Sequence, residues 1–127
     1  MYHEFKDLIE KAIEAQNFAY APYSKLKVGA SVLTKSGKIY TGANIENASY
    51  PAGICAERVA LSKAISEGEK DFFAICITSN NIDYTYPCGI CRQFLSEFND
   101  DIKIVIAKDQ TDYRLYSLED LLPHSFK

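Results

Sequence analysis

A thiol, a carboxylate and two further thiols stand at a spacing that can hold and use a metal ion. Cys55-Ala56-Glu57 is followed by Pro87-Cys88-Gly89-Ile90-Cys91. Three thiolates can fill three corners of a zinc tetrahedron and leave the fourth to a reacting molecule. That vacancy separates catalytic zinc from structural zinc, which is usually closed by four ligands. Glu57, two residues past the first thiol, can face the open corner and act there as a general acid–base group. Taken singly, each part has a plainer reading. Cys-x-x-Cys also serves structural-zinc and thiol-redox modules, and a Glu in a helix's first turn is favoured by the dipole alone. Three thiols together with the carboxylate favour catalysis.

Two helices must aim these groups. The pattern predicts one over residues 54–67, with Val59, Leu61, Ala64 and Ile65 buried and Gly68 as its stop. It predicts another over 88–98, closed by Asn99-Asp100. Cys55 then opens the first helix, Cys88 and Cys91 share the first turn of the second, and Pro87 suits its start. Helix N-termini carry partial positive charge, which favours the thiolate form that binds metal. Three thiolates on a divalent ion leave net negative charge. Arg58 and Arg92 are candidate offsets, Arg58 the better one, because a buried charge requires a partner.

The remaining elements follow from periodicity. Phe5, Leu8, Ile9, Ala12 and Ile13 make one apolar stripe of a helix over 3–20, ended by Ala21-Pro22-Tyr23-Ser24. Residues 26–34 and 38–45 read as strands joined at Ser36-Gly37, and 49–53 as a loop. Residues 72–78 form a nearly continuous apolar run, as a central strand does. Further strands are predicted over 102–107 and 113–117, with a short helix over 118–122 ended by Pro123. This order predicts an α/β fold in three α/β/α layers, with a mixed sheet of about five strands and one domain over 1–127. Cys76, inside the apolar run, reads as a core residue rather than a fourth ligand.

Composition narrows the partners. The 127 residues carry a net charge of -3 and no basic run, which argues against nucleic acid and anionic membrane as partners. The nine tyrosines are scattered rather than striped, unlike a base-stacking platform. The longest apolar stretch, 72–77, is too short to cross a bilayer. The opening Met-Tyr-His-Glu-Phe lacks the basic start and apolar centre of a signal peptide. A cytoplasmic location is expected, where four cysteines point to metal or redox chemistry rather than disulfides.

Several spaced motifs resemble the small homotetrameric zinc-dependent cytidine deaminases, and the resemblance runs nearly end to end. Ala21-Pro22-Tyr23-Ser24 with Val28-Gly29-Ala30 resembles that family's entry to its first strand. Asn44-Ile45-Glu46-Asn47-Ala48 resembles its ribose-binding segment. Cys55-Ala56-Glu57-Arg58 and Pro87-Cys88-Gly89-Ile90-Cys91-Arg92-Gln93 resemble its zinc motifs, and Glu119 to Phe126 its C-terminal element.

The resemblance implies hydrolysis of cytidine and deoxycytidine to uridine and deoxyuridine with release of ammonia, a step of pyrimidine salvage. It implies one zinc ion per subunit on Cys55, Cys88 and Cys91, with an activated water attacking C4 of the base. Glu57 would carry the proton of that water to ring N3 and then to the departing amine. Peptide groups around Ala56 and Cys88 would hold the base edge, Arg58 would support the thiolates, and Asn44 with Glu46 would bind the sugar 3′-hydroxyl. Leu26 would pack on the nucleoside, standing where an aromatic residue is usual, and Ala43 stands where many members carry Cys. The family's sites are shared between subunits, so Ala48, Tyr50 and Phe126 would reach a neighbour's site, with Phe126 covering the base. Deaminases of nucleoside antibiotics and of polynucleotides are the related alternatives. Asn44 paired with Glu46 argues against the first, and the lack of basic patches against the second.

Overall fold

A computed structural model describes residues 3–126. Five strands form one sheet in the order β2-β1-β3-β4-β5. They are β1 (Val28–Thr34), β2 (Ile39–Ala43), β3 (Phe72–Ser79), β4 (Lys103–Ala107) and β5 (Tyr113–Ser117). β3 and β4 run parallel and the other neighbours antiparallel, so the sheet is mixed, as the element order predicts. The helices are α1 (His3–Ala15), α2 (Ala56–Ser66), α3 (Gly89–Ser96) and α4 (Leu118–Leu121).

Strand alternation sorts the core into two halves. Ile75 and Ile77 of β3 and Ile104 and Ile106 of β4 face one way, against Ala56, Ala60, Leu61 and Ala64 of α2 and Leu95 of α3. Ala74 and Cys76 of β3 and Val105 and Ala107 of β4 face the other way, against Phe5, Leu8, Ile9 and Ala12 of α1. Each fully buried Leu or Ile contributes roughly 1.5–3 kcal/mol by leaving water. A strand buried on both faces has no polar alternation, which is why β3 reads as a continuous apolar run.

Several boundaries differ from the sequence pattern. The first helix stops at Ala15, followed by a 3-10 turn over Gln16–Phe18, rather than running to residue 20. The cause is long-range: the Tyr20 amide donates to the Asn44 carbonyl (2.9 Å), and the Tyr20 carbonyl accepts from the Glu46 amide (2.8 Å). Tyr20 is therefore extended and bridges Ile45, which in turn bridges Ile54. Val59 and Ile65 are half-buried rather than buried. The 49–53 loop contains a 3-10 turn at Tyr50–Ala52. Pro87 lies one position outside the helix start, because Cys88 is the extended N-cap of α3.

The layers meet closely where α2 crosses β2. A Cβ at Gly42 would lie 2.5 Å from both the Ala56 carbonyl oxygen and the Ala60 amide nitrogen. Only glycine permits that approach, and it fixes the first turn of α2 against the sheet.

Candidate functional site

Cys55 is the N-cap of α2 and Cys88 the N-cap of α3, both with extended backbone. Their carbonyls accept the amides of Val59 (3.1 Å) and Arg92 (3.0 Å), so each helix starts at a cysteine. Cys91 lies in the first turn of α3. The Cys55 and Cys88 sulfurs are 3.6 Å apart, those of Cys88 and Cys91 3.5 Å, and all three lie within 4.8 Å of one another. A disulfide would bring two of them to about 2.05 Å, whereas ligands of a tetrahedral zinc at about 2.3 Å stand roughly 3.8 Å apart. The donor set fits: soft thiolates suit zinc. Cys91 is buried, Cys55 half-buried and Cys88 exposed, so the trio opens to one side.

The cluster shares its protons unevenly. The Cys55 thiol is pushed down to about 5, first by a hydrogen bond from Cys91; burial opposes this, and Arg58 assists. The same bond to Cys55 pushes Cys91 up. Arg58 Nη2 lies 3.9 Å from the Cys55 sulfur, and the Arg58 Nε is buried without a partner among the described residues. Arg92 is occupied elsewhere: Nε donates to the Pro87 carbonyl (2.8 Å) and Nη1 to that of Leu121 (2.7 Å), tying α3 to α4.

Glu57 lies in the first turn of α2 and is 3% exposed. Burial pushes its carboxyl up to about 7, with the Cys55 charge adding to the rise and hydrogen bonds and Arg58 opposing it. At that value both protonation states exist near neutral pH.

A cavity of about 720 Å³ opens over the thiols, within the usual size range of small-molecule sites. Cys55, Ala56, Glu57, Arg58 and Cys88 line it together with Leu26, Asn44, Glu46 and Tyr50. Ala48 and Phe126 are not among its lining residues; both are exposed, and the Phe126 carbonyl accepts a hydrogen bond from Gln93 Nε2 (2.8 Å). Tyr50 stands at the rim, 78% exposed, edge-on to Tyr23 with ring centroids 6.3 Å apart.

The Asn44 side chain is already half engaged. Its Nδ2 donates to the Leu26 carbonyl (2.8 Å) and its Oδ1 accepts the Val28 amide (2.9 Å), so it secures the entry to β1. Glu46 accepts the amides of Tyr23 (3.0 Å) and Ser24 (3.1 Å) and the Ser24 hydroxyl. The Ser24 hydroxyl is the first reason its carboxyl lies below the usual range. Sequence reasoning did not single out Ser24, Tyr86 or Ile90, all of which line the cavity. Ser24 alone left a local signal, since Ser-x-Leu permits the hydroxyl to cap the amide two residues on. Cys76 sits on the α1 side of β3, across the sheet from α2 and α3, and is absent from the thiol trio.

An open trio of thiols beside a buried carboxyl, on a mixed α/β sheet, defines the site of a zinc-dependent hydrolase. Known proteins narrow the class. The family model for the cytidine and deoxycytidylate deaminase zinc-binding region matches residues 3–108, and the chain belongs to that family. The cytidine deaminase of Halalkalibacterium halodurans is 45% identical over 120 residues, covering 94% of this chain and 91% of that protein. A probable cytidine deaminase of Dictyostelium discoideum is 42% identical over 129 residues, covering 94% of this chain and 88% of that protein. The crystal structure of cytidine deaminase from Burkholderia pseudomallei matches with a TM-score of 0.89 at 43% identity, covering 94% of this chain and 97% of that one.

Proposed function

We propose that this protein hydrolyses cytidine and deoxycytidine to uridine and deoxyuridine, and that residues 1–127 act as one domain. The observation that carries the reading is a single cavity lined by Cys55 and Cys88 of the thiol trio, the buried Glu57 and the pinned Glu46. Cys55, Cys88 and Cys91 would hold one zinc ion, which when bound supplies Lewis-acid activation of a water.

Glu57 takes a proton from the attacking water, delivers it to ring N3 and later protonates the departing amine. Burial, by raising its carboxyl to about 7, equips one group for both tasks. The C4–O bond forms and the C4–N bond breaks; one proton of the water stays on N3 of the product, and the other leaves on the nitrogen as ammonia. The peptide groups at Ala56 and Cys88 bind the base edge. Asn44 retains one N–H and one lone pair for the sugar. An ionised Glu46 at the sugar repels a 3′-phosphate, which favours free nucleosides over polynucleotides.

The proposed assembly is a homotetramer in which Ala48, Tyr50 and Phe126 reach a neighbour's cavity. Tyr50 and Phe126 leave 78% and 82% of their surface in water, so both are accessible to a neighbouring subunit. Light scattering should return the mass of four chains; a monomer overturns the shared site. The proposed location is the cytoplasm, where unpaired cysteines persist. Among the described residues no helix is long and apolar enough to cross a membrane.

Metal content and turnover of the wild type and of Glu57→Gln test the reading. The wild type should hold about one zinc per chain and release ammonia from cytidine. The variant should keep its zinc and lose about a thousandfold in kcat. An active variant, or a wild type that releases no ammonia, overturns it.

A further inference from the structure

The segment before β1 is tied down by three side chains from elsewhere in the chain. Asn44 holds Leu26 and Val28. Asn80 accepts the Lys27 amide (3.0 Å) and donates to the Lys25 carbonyl (3.2 Å). Glu46 holds Tyr23 and Ser24. Lys25, between Ser24 and Leu26, adopts a left-handed φ of 64°, a conformation that persists only where the surroundings enforce it. The Ser24 hydroxyl sits at the junction. It donates to Glu46 Oε2 and accepts the Leu26 amide (3.0 Å). One hydroxyl therefore joins two residues that line the same cavity.

The acceptor count makes this specific. A carboxylate offers about four lone-pair positions. Oε1 of Glu46 spends two on the Tyr23 and Ser24 amides, and Oε2 spends one on the Ser24 hydroxyl. One acceptor position remains.

We propose that Ser24 is a positioning residue that fixes the Glu46 carboxylate so that its one free acceptor meets the nucleoside 3′-hydroxyl. The proposal rests on the reading of Glu46 as the sugar contact. Without the Ser24 hydroxyl the carboxylate gains a second free position and rotational freedom, while Leu26 stays held by Asn44 at its carbonyl and by Asn80 at the next amide. Neither change touches Glu57 or the thiols, so the loss falls on binding rather than on the chemical step.

Steady-state kinetics of the wild type, Ser24→Ala and Ser24→Thr on cytidine and on 3′-deoxycytidine test it. Ser24→Ala should raise KM for cytidine about tenfold, the scale of one charge-assisted hydrogen bond. It should leave kcat for cytidine and both constants for 3′-deoxycytidine within about twofold, which also reports that the variant is folded. Ser24→Thr, which keeps the hydroxyl, should restore KM. A wild type that uses both nucleosides with equal kcat/KM overturns the Glu46 reading and the proposal with it. A wild type that distinguishes them, combined with an equal penalty on both in Ser24→Ala, overturns the Ser24 assignment alone.

Discussion

Arg58 directs its guanidinium at Cys55, with Nη2 3.9 Å from the sulfur and Nε buried and unpaired among the described residues. An unsatisfied buried donor costs about 1–3 kcal/mol, so the side chain must be held by something else. The charge on the thiolates is the available cause, since hydrogen bonds to and attraction by Cys55 and Cys91 hold the guanidinium firmly protonated against its burial. Arg92 cannot substitute, being committed to two carbonyls. Arg58→Gln should retain zinc and lose about tenfold in kcat, the worth of one charge-assisted contact. Atomic absorption beside steady-state kinetics reads both quantities. Full zinc with unchanged kcat removes Arg58 from the chemistry.

Gly42 determines where Glu57 and Cys55 stand. A side chain there would meet backbone atoms of Ala56 and Ala60 at 2.5 Å, and backbone cannot yield as a side chain does. Gly42→Ala should therefore push α2 off β2, at a cost of about 1–3 kcal/mol. Activity should fall further than stability, by more than about tenfold, because the displaced turn carries the proposed proton shuttle, Glu57. Thermal melts and kcat measured together check this. A lowered Tm with unchanged kcat shows that the turn tolerates the shift.

What the sequence disclosed depended on how local each cause was. The thiol spacing, the β3 apolar run and the Ser36-Gly37 hairpin are short-range patterns, and each lies where the pattern predicts; Gly37 takes the positive φ of 97° that the turn requires. The end of α1 was not legible. No Gly or Pro interrupts the chain before Ala21-Pro22, but pairing of Tyr20 with Asn44 and Glu46 ends the helix earlier. Ser24 is a similar case. Locally it belongs to a helix stop, and only the fold brings Glu46, 22 residues away, onto its hydroxyl. The family resemblance assigns Asn44 to the sugar, yet half its capacity goes to the backbone at Leu26 and Val28. Hydrogen bonds between side chains and distant backbone leave no period or spacing to read.

Cys76 separates a core thiol from a ligand. Its burial pushes the thiol up, opposite to what metal binding needs. It packs with Phe5, Leu8 and Ala12 on the α1 face. Cys76→Ser should leave zinc content unchanged and lower stability by about 1–3 kcal/mol, because it buries a hydroxyl among apolar neighbours. Urea melts and zinc analysis decide it. Loss of zinc in folded Cys76→Ser would make it a fourth ligand and the centre a structural one.

Leu26 is half-buried, lines the cavity and packs on the edge of the α2-side core. Its backbone is held on both sides, by Ser24 at the amide and Asn44 at the carbonyl, so the side chain projects from a fixed point. In the proposed site, leucine would give a pyrimidine nucleoside apolar contact without ring stacking. Leu26→Phe supplies the ring, and an aromatic pair contributes about 0.5–1.5 kcal/mol beyond the area it buries. KM for cytidine should fall by about two- to tenfold with kcat unchanged, because stacking acts on ground state and transition state alike. The cavity, at about 720 Å³, has room for the larger side chain. If KM rises instead, the leucine marks space that the nucleoside itself fills, and the apolar contact at this position is already complete.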